Sequence, residues 1–313
     1  MISKEEFCSV AGQLITDEDR KKYSKCKRRT TILLSCILPA IVVLFTILTL
    51  FSTQTGARFA FIPCGIVVLV IAALIIFRAS SFEWTNFKQK YGAKVLKCLL
   101  GDYEYDYKQD YCIAKKIFIA SNFAGKFDHY RGEDLLTVKI KNDDGTPSNA
   151  EFLICDLNVT ETRRRTVVSN GHTRTEEYTV TVYNGAFGYV RFPFAFKCEL
   201  DINPYSKRNQ KISLEDIDFN KRFSVYTSDQ VEALCILTPT MMTKLAALDK
   251  RVKHLKLSIS NNNLYLGFKR NLFEINKKGR ALDGRVFERF YDDAINIYEI
   301  LEEIKNNNKV FKM

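Results

Sequence analysis

An α+β fold carried behind a helical membrane hairpin is the architecture this sequence predicts, and three observations predict it. Two long apolar runs without a charge stand near the N-terminus, period-two strand patterns fill the middle of the chain, and helical stripes flank and close it. The mean hydropathy of −0.14 conceals this division, because it averages a very apolar block with a polar remainder. A chain of 313 residues, 46% of them hydrophobic, is long enough to hold one or two domains with real cores.

The first run, residues 31–51, reads TILLSCILPAIVVLFTILTLF, 21 residues without a charge. As a helix it would reach about 31 Å at about 1.5 Å per residue, the thickness of a bilayer core. The second, residues 59–77, reads FAFIPCGIVVLVIAALIIF and is bounded by Arg58 and Arg78. Buried helices of soluble domains rarely run so long without a charged residue, so the pair reads as a transmembrane hairpin with STQTGAR, residues 52–58, as its outer turn. Residues 1–30 carry eight Lys and Arg, and Arg78, Lys88, Lys90, Lys94 and Lys97 follow the second run, whereas the turn holds only Arg58. By the positive-inside rule both termini are cytoplasmic, which predicts a multi-pass protein of the inner (cytoplasmic) membrane. Neither span carries the charged relay expected of an ion path. Gly65, Ala72 and Ala73 are small enough to let helices approach closely, so a homo-oligomer is allowed.

The expected organisation is a basic cytoplasmic tail at 1–30, the hairpin at 31–78 and a cytoplasmic α+β domain at 79–313. In that domain 37 Lys and Arg stand against 31 Asp and Glu, a mildly basic balance too small for a nucleic-acid footprint. The tail gathers its basic residues in RKKYSKCKRR, residues 20–29, which reads as a topology signal able to attract anionic headgroups. Nine cysteines without a CxxC fit reduced thiols and supply no zinc-site signature.

Phe87, Tyr91, Val95 and Cys98 fall at helical spacing and predict a helix over 82–100. Strands are expected at 134–141, 151–159, 176–183, 185–192, 222–227, 232–238, 254–260 and 263–269, with turns at NDDGT, SNGH and Asn261–Asn262. Thr238 as N-cap and Pro239 at the first helical position open a helix whose stripe is Met241, Leu245, Leu248 and Val252. A last helix places Phe287, Tyr291, Ala294, Tyr298 and Leu301 on one face. The result is a mostly antiparallel sheet, or a partly closed barrel, with flanking helices.

The segments YRGEDLLTVKI (130–140), YNGAFGYVRF (183–192), FNKRFSVYTSDQVEALCILTP (219–239), LSISNNNLYLGF (257–268) and NLFE (271–274) occur in this order. Over roughly residues 80–305 they resemble a bacterial family of membrane-anchored proteins, domain of unknown function 3137. The Phe-x-x-x-Phe-x-Val-Tyr stretch at 219–226 is the most specific part of the resemblance. The hairpin at 161–179 departs from it. The resemblance implies two spans before a cytoplasmic domain and a LemA-type membrane protein as partner; it implies no catalytic residue.

No HExxH, P-loop, GxSxG or post-strand GxGxxG occurs, and the three histidines lie in separate segments without metal spacing. Adjacent acidic pairs such as Glu133–Asp134 and Asp292–Asp293 read as solvated charge. The stretch His129, Arg131, Glu133 and Asp134 is the least ordinary constellation, and a structural turn role is expected for it. Arg163, Arg164 and Arg165 with His172 and Arg174 across a turn form a second candidate, because guanidinium forks match phosphate oxygens. Glu161, Glu176 and Glu177 stand beside them to pair across the strands. The expectation is a non-enzymatic, cofactor-free interaction module at the membrane, acting as scaffold, sensor or accessory protein. The competing expectation is recognition of an anionic lipid or phosphate ligand through the 163–174 hairpin.

Overall fold

The structure, a computed structural model, describes residues 2–32, 35, 39, 43, 82–100, 103–141, 147–169, 172–277 and 281–307. The expected spans at 31–51 and 59–77 lie outside the described residues apart from positions 31, 32, 35, 39 and 43. Among the described residues no single helix is long and apolar enough to cross a membrane. Backbone contacts divide the chain into two units: residues 1–95 with 275–288, and residues 96–274 with 289–313.

In the first unit, the tail expected as a simple basic segment is helical. Helix α1 (Lys4–Leu14) starts at Ser3, whose hydroxyl accepts from the Glu6 amide at 3.2 Å, and it buries Phe7 and Ala11, with Ile15 just beyond its end. Helix α2 (Asp17–Ile32) carries Asp17, Glu18 and Asp19 in its first turn, where the helix dipole favours acids. A 3-10 turn at Gly284–Phe287 lies so close to α1 that a Cβ on Gly284 would fall 1.7 Å from the Cys8 carbonyl oxygen. Glycine is what that approach requires. Helix α3 (Trp84–Leu99), of which this unit holds the part up to Val95, buries Phe87, Tyr91 and Val95 of the expected stripe; Cys98, in the second unit, is only partly covered. The Phe87 ring stacks on Phe287 with centroids 5.5 Å apart. Asp19 ties the helices together: its Oδ2 accepts from Tyr91 Oη and Lys90 Nζ, each at 2.6 Å, and from Thr16 Oγ1 at 2.9 Å.

The second unit holds one nine-stranded sheet in which every pairing is antiparallel. Its strands are β1 (Tyr105–Lys108), β2 (His129–Lys141), β3 (Pro147–Ser169), β4 (His172–Arg191), β5 (Leu200–Ile202), β6 (Gln210–Ile212), β7 (Val225–Thr227), β8 (Lys256–Ser260) and β9 (Asn263–Phe268). The order β1-β2-β3-β4-β9-β8-β5-β7-β6 leaves β1 and β6 at opposite edges, so the sheet is open rather than a barrel. Helix α4 (Lys115–Ala120) sends Phe118 into a core with Phe123, Val159, Tyr183 and Phe187. Further helices are α5 (Ile217–Arg222), α6 (Gln230–Ile236), α7 (Pro239–Val252) and α8 (Glu288–Asn307).

Several expectations need correction. The segment 232–238 is not a strand: Asp229 accepts from the Val231 and Glu232 amides at 2.9 and 3.2 Å, and this cap starts α6. The strand expected at 222–227 shortens to β7, because Asp216 caps α5 just before it. The two strands expected at 176–183 and 185–192 are one, β4, whose pairing with β3 skips Val182 as a bulge between Tyr183 and Thr181. On α8 the covered face runs through Phe290, Asp293, Ala294, Asn296 and Ile297, and Tyr291 and Tyr298 are only partly covered. The α7 prediction holds in full, with Thr238 Oγ1 accepting from the Met241 amide at 3.2 Å and all four stripe residues buried.

Candidate functional site

Two features of the second unit gather the residues singled out in the sequence. The first is a ribbon. Pairing of β3 with β2 ends at His129–Thr160, yet β3 and β4 continue together for nine further pairs, from Glu161–Val180 to Ser169–His172. Alternation along the strands puts Arg163 and Arg165 on one face and Arg164 on the other.

Glutamates meet these arginines. Arg164 Nε donates to Glu177 Oε1 at 2.8 Å, Arg165 Nη2 lies 3.0 Å from Glu176 Oε2, and Arg163 Nε donates to Glu161 Oε2 at 2.8 Å. Arg174 Nη2 reaches the other oxygen of Glu176 at 2.5 Å. Arg165 also lies over the Tyr178 ring, 5.7 Å from its centroid. An anion arriving here would compete with four carboxylate contacts. His172 pairs with Ser169 at the tip of the ribbon, and its side chain lies outside the described residues. The opposite face is threonine-rich, with Thr162 opposite Thr179 and Thr166 opposite Thr175.

The second feature is a polar cleft of about 500 Å³ where β2, β3 and β4 meet the turn after β9. Arg131 and Glu133 on β2 line it as an i, i+2 pair, with Asp156 and Asn158 from β3. Asp110, Asn184 and Asn271 complete its polar wall. Carboxylates, carboxamides and one guanidinium together suit a polar ligand with both donors and acceptors. Among the described residues no group of three His, Cys, Asp or Glu could hold a metal ion.

His129 and Asp134, the other members of the sequence constellation, are placed differently. His129 is exposed at the start of β2, opposite Thr160. Asp134 is fully buried at a register shift of β2, with φ +63°, and its Oδ1 accepts from Tyr107 Oη at 2.5 Å. Burial, and then the charge of Asp134, push the Tyr107 hydroxyl well above its ordinary pKa, so it stays protonated as a donor. Asp134 is therefore not the solvated charge its acidic neighbourhood suggested.

Sequence reasoning missed the carboxylates behind the cleft. Asp156 accepts the Leu272 amide on both oxygens at 2.9 Å, and Asp293 on α8 accepts the Phe273 amide on Oδ2 at 2.8 Å. Arg270 Nη2 lies 2.7 Å from Asp293 Oδ1 as an ion-pair contact without hydrogen-bond alignment. Burial raises the Asp293 pKa to about 6, against the opposing pull of Arg270. The turn Asn271–Glu274 is thus held from two sides, with Phe273 at φ +49°. The segment NLFE was the one signal for it.

Residues 181–306 match the sequence model of the family described as Protein of unknown function (DUF3137). The match covers four of the five quoted segments, from YNGAFGYVRF to NLFE, and begins after YRGEDLLTVKI. No curated protein matches the chain, and no solved structure does.

Proposed function

We propose that the chain, which matches the DUF3137 family model over residues 181–306, is a non-enzymatic interaction module held at the inner membrane by the hairpin 31–78. Its termini are cytoplasmic, and the β3–β4 ribbon is the surface it offers to a protein partner. One observation carries this reading: nine cross-strand pairs project past the last pairing with β2, on strands that are largely exposed from Thr173 to Thr181.

A two-stranded ribbon is marginal in water by itself. Its outer backbone edges are templates for a further strand, and its side-chain charges are already matched within the ribbon. Such a surface favours backbone and shape recognition over capture of a free anion. A LemA-type membrane protein is the partner that the family resemblance suggests.

The test is cross-linking of the tagged full chain in native membranes, followed by mass spectrometry. A variant in which Asn-Gly replaces residues 161–180 is run beside it. A stoichiometric membrane-protein partner that disappears with the ribbon supports the reading. Retention of the partner by the shortened chain, or turnover of a substrate by the purified full-length protein, overturns it.

A further inference from the structure

The first unit holds a cationic cleft of about 660 Å³ on α2. Lys21, Ser24, Lys27 and Arg28 recur at helical spacing along one side of the helix, and Thr31 continues the row. Leu282, from the loop before the 3-10 turn, supplies an apolar shoulder.

These cations differ from those of the ribbon. Among the described residues, no carboxylate lies within ion-pair distance of Lys21 or Arg28, whereas Arg164 and Arg165 face glutamates. Arg20 is occupied by the end of α1, donating to the Gly12 and Ile15 carbonyls. Asp283, next to Leu282, is held by Arg285 through contacts of 3.0 and 3.2 Å. The Tyr23 hydroxyl, raised in pKa by burial and then by Asp283, stays a donor beside the cleft.

Position selects the ligand. Thr31 is both the last residue lining the cleft and the first of the uncharged run at 31–51, and Ile32 beyond it is 46% exposed. If that run spans the bilayer, the cleft stands at headgroup depth. We infer that the α2 cleft binds the phosphate of an anionic lipid headgroup, through Lys21 and Arg28. This rests on the membrane-anchored reading given above.

The experiment uses the full chain in mixed micelles, with native mass spectrometry counting the phosphatidylglycerol retained over phosphatidylcholine. K21Q/R28Q should bind phosphatidylglycerol about thirty-fold less tightly, the fold-change equivalent to about 1 kcal/mol for each of two lost hydrogen-bonded phosphate contacts. K25Q/R29Q removes the same net charge from the same helix outside the cleft and should change binding less than about three-fold. Equal losses in the two variants would mean diffuse attraction and overturn the site. Displacement of the lipid by equimolar inorganic phosphate would overturn the lipid as its ligand. Alkaline carbonate extraction of cell membranes separates the premises. A chain that stays in the membrane while K21Q/R28Q binds normally refutes the cleft alone, and a chain that is extracted refutes the anchor and the inference with it.

Discussion

The Leu272 amide donates to both carboxylate oxygens of Asp156, 116 positions away in the chain, at 2.9 Å each. This contact fixes the turn after β9 against the middle of β3, and Asp156 is only 5% exposed. Replacing the carboxylate by a methyl group leaves a buried N–H without a partner. Asp156→Ala should therefore lose about 2–3 kcal/mol of stability, and Asp156→Asn, which keeps one acceptor oxygen, clearly less. Denaturant unfolding in detergent followed by near-UV circular dichroism measures both, and an Ala variant as stable as wild type would refute the assignment.

Asp293 makes stability depend on pH in the direction opposite to an ordinary ion-paired carboxylate. Its folded pKa is raised by burial from 3.8 to about 6, so the native state binds the proton more tightly than the unfolded chain does. The resulting stabilisation is fully present below about pH 4 and is lost as pH rises through about 6. The lost amount is on the order of 3 kcal/mol. Asp293→Asn should remove this slope, so the difference in stability between variant and wild type should change across pH 4–6.5 and be flat above it. Parallel melts at pH 4, 5, 6 and 7 check the sign.

The parts of the fold that were legible in the sequence are those set by neighbours in the chain. Thr238 and Pro239 announce α7 because cap and first turn are local, and the β8–β9 hairpin follows from two alternating runs joined at Asn261, which has φ +55°. Helix α6 was not legible: EALCILT is a short apolar run whose periodicity does not separate helix from strand, and the deciding cap at Asp229 precedes it. Helix α1 was hidden by the charge cluster beside it, although Phe7, Ala11 and Ile15 recur every four residues. In the cleft, Arg131 and Glu133 share a face by alternation alone, but Asp156 joins them only through strand register. Asp293 looked solvated beside Asp292, yet one helical step turns it into the core.

Gly132 lines the cleft on β2, where it pairs with Leu157 on β3. A Cβ there would stand 2.5 Å from Cys112 Cβ and 2.6 Å from both the Asp156 carbonyl oxygen and Leu157 Cδ2. Backbone cannot yield as a flexible side chain does, so Gly132→Ala should destabilise by about 1–3 kcal/mol, as overpacking does. Denaturant unfolding measures the loss, and a Gly132→Ala variant as stable as wild type would refute the close approach.

Asp19 governs the acid limit of the first unit. Burial raises its pKa, but hydrogen bonds from Lys90, Tyr91 and Thr16 outweigh that and hold it below the ordinary carboxylate range. A depressed carboxylate contributes stability above its unfolded pKa and loses it as pH falls through the folded value. Asp19→Asn should therefore lower stability at neutral pH by about 1–2 kcal/mol, the scale of hydrogen bonds to a charged acceptor. The gap between the two proteins should close as pH falls through the folded value, below the ordinary carboxylate range. The chain has one tryptophan, Trp84, and its ring lies 5.7 Å from Tyr23 in this same unit. Its emission during thermal melts therefore reports this unit specifically, and a gap that persists unchanged at low pH would mean that Asp19 is not ionised in the folded protein.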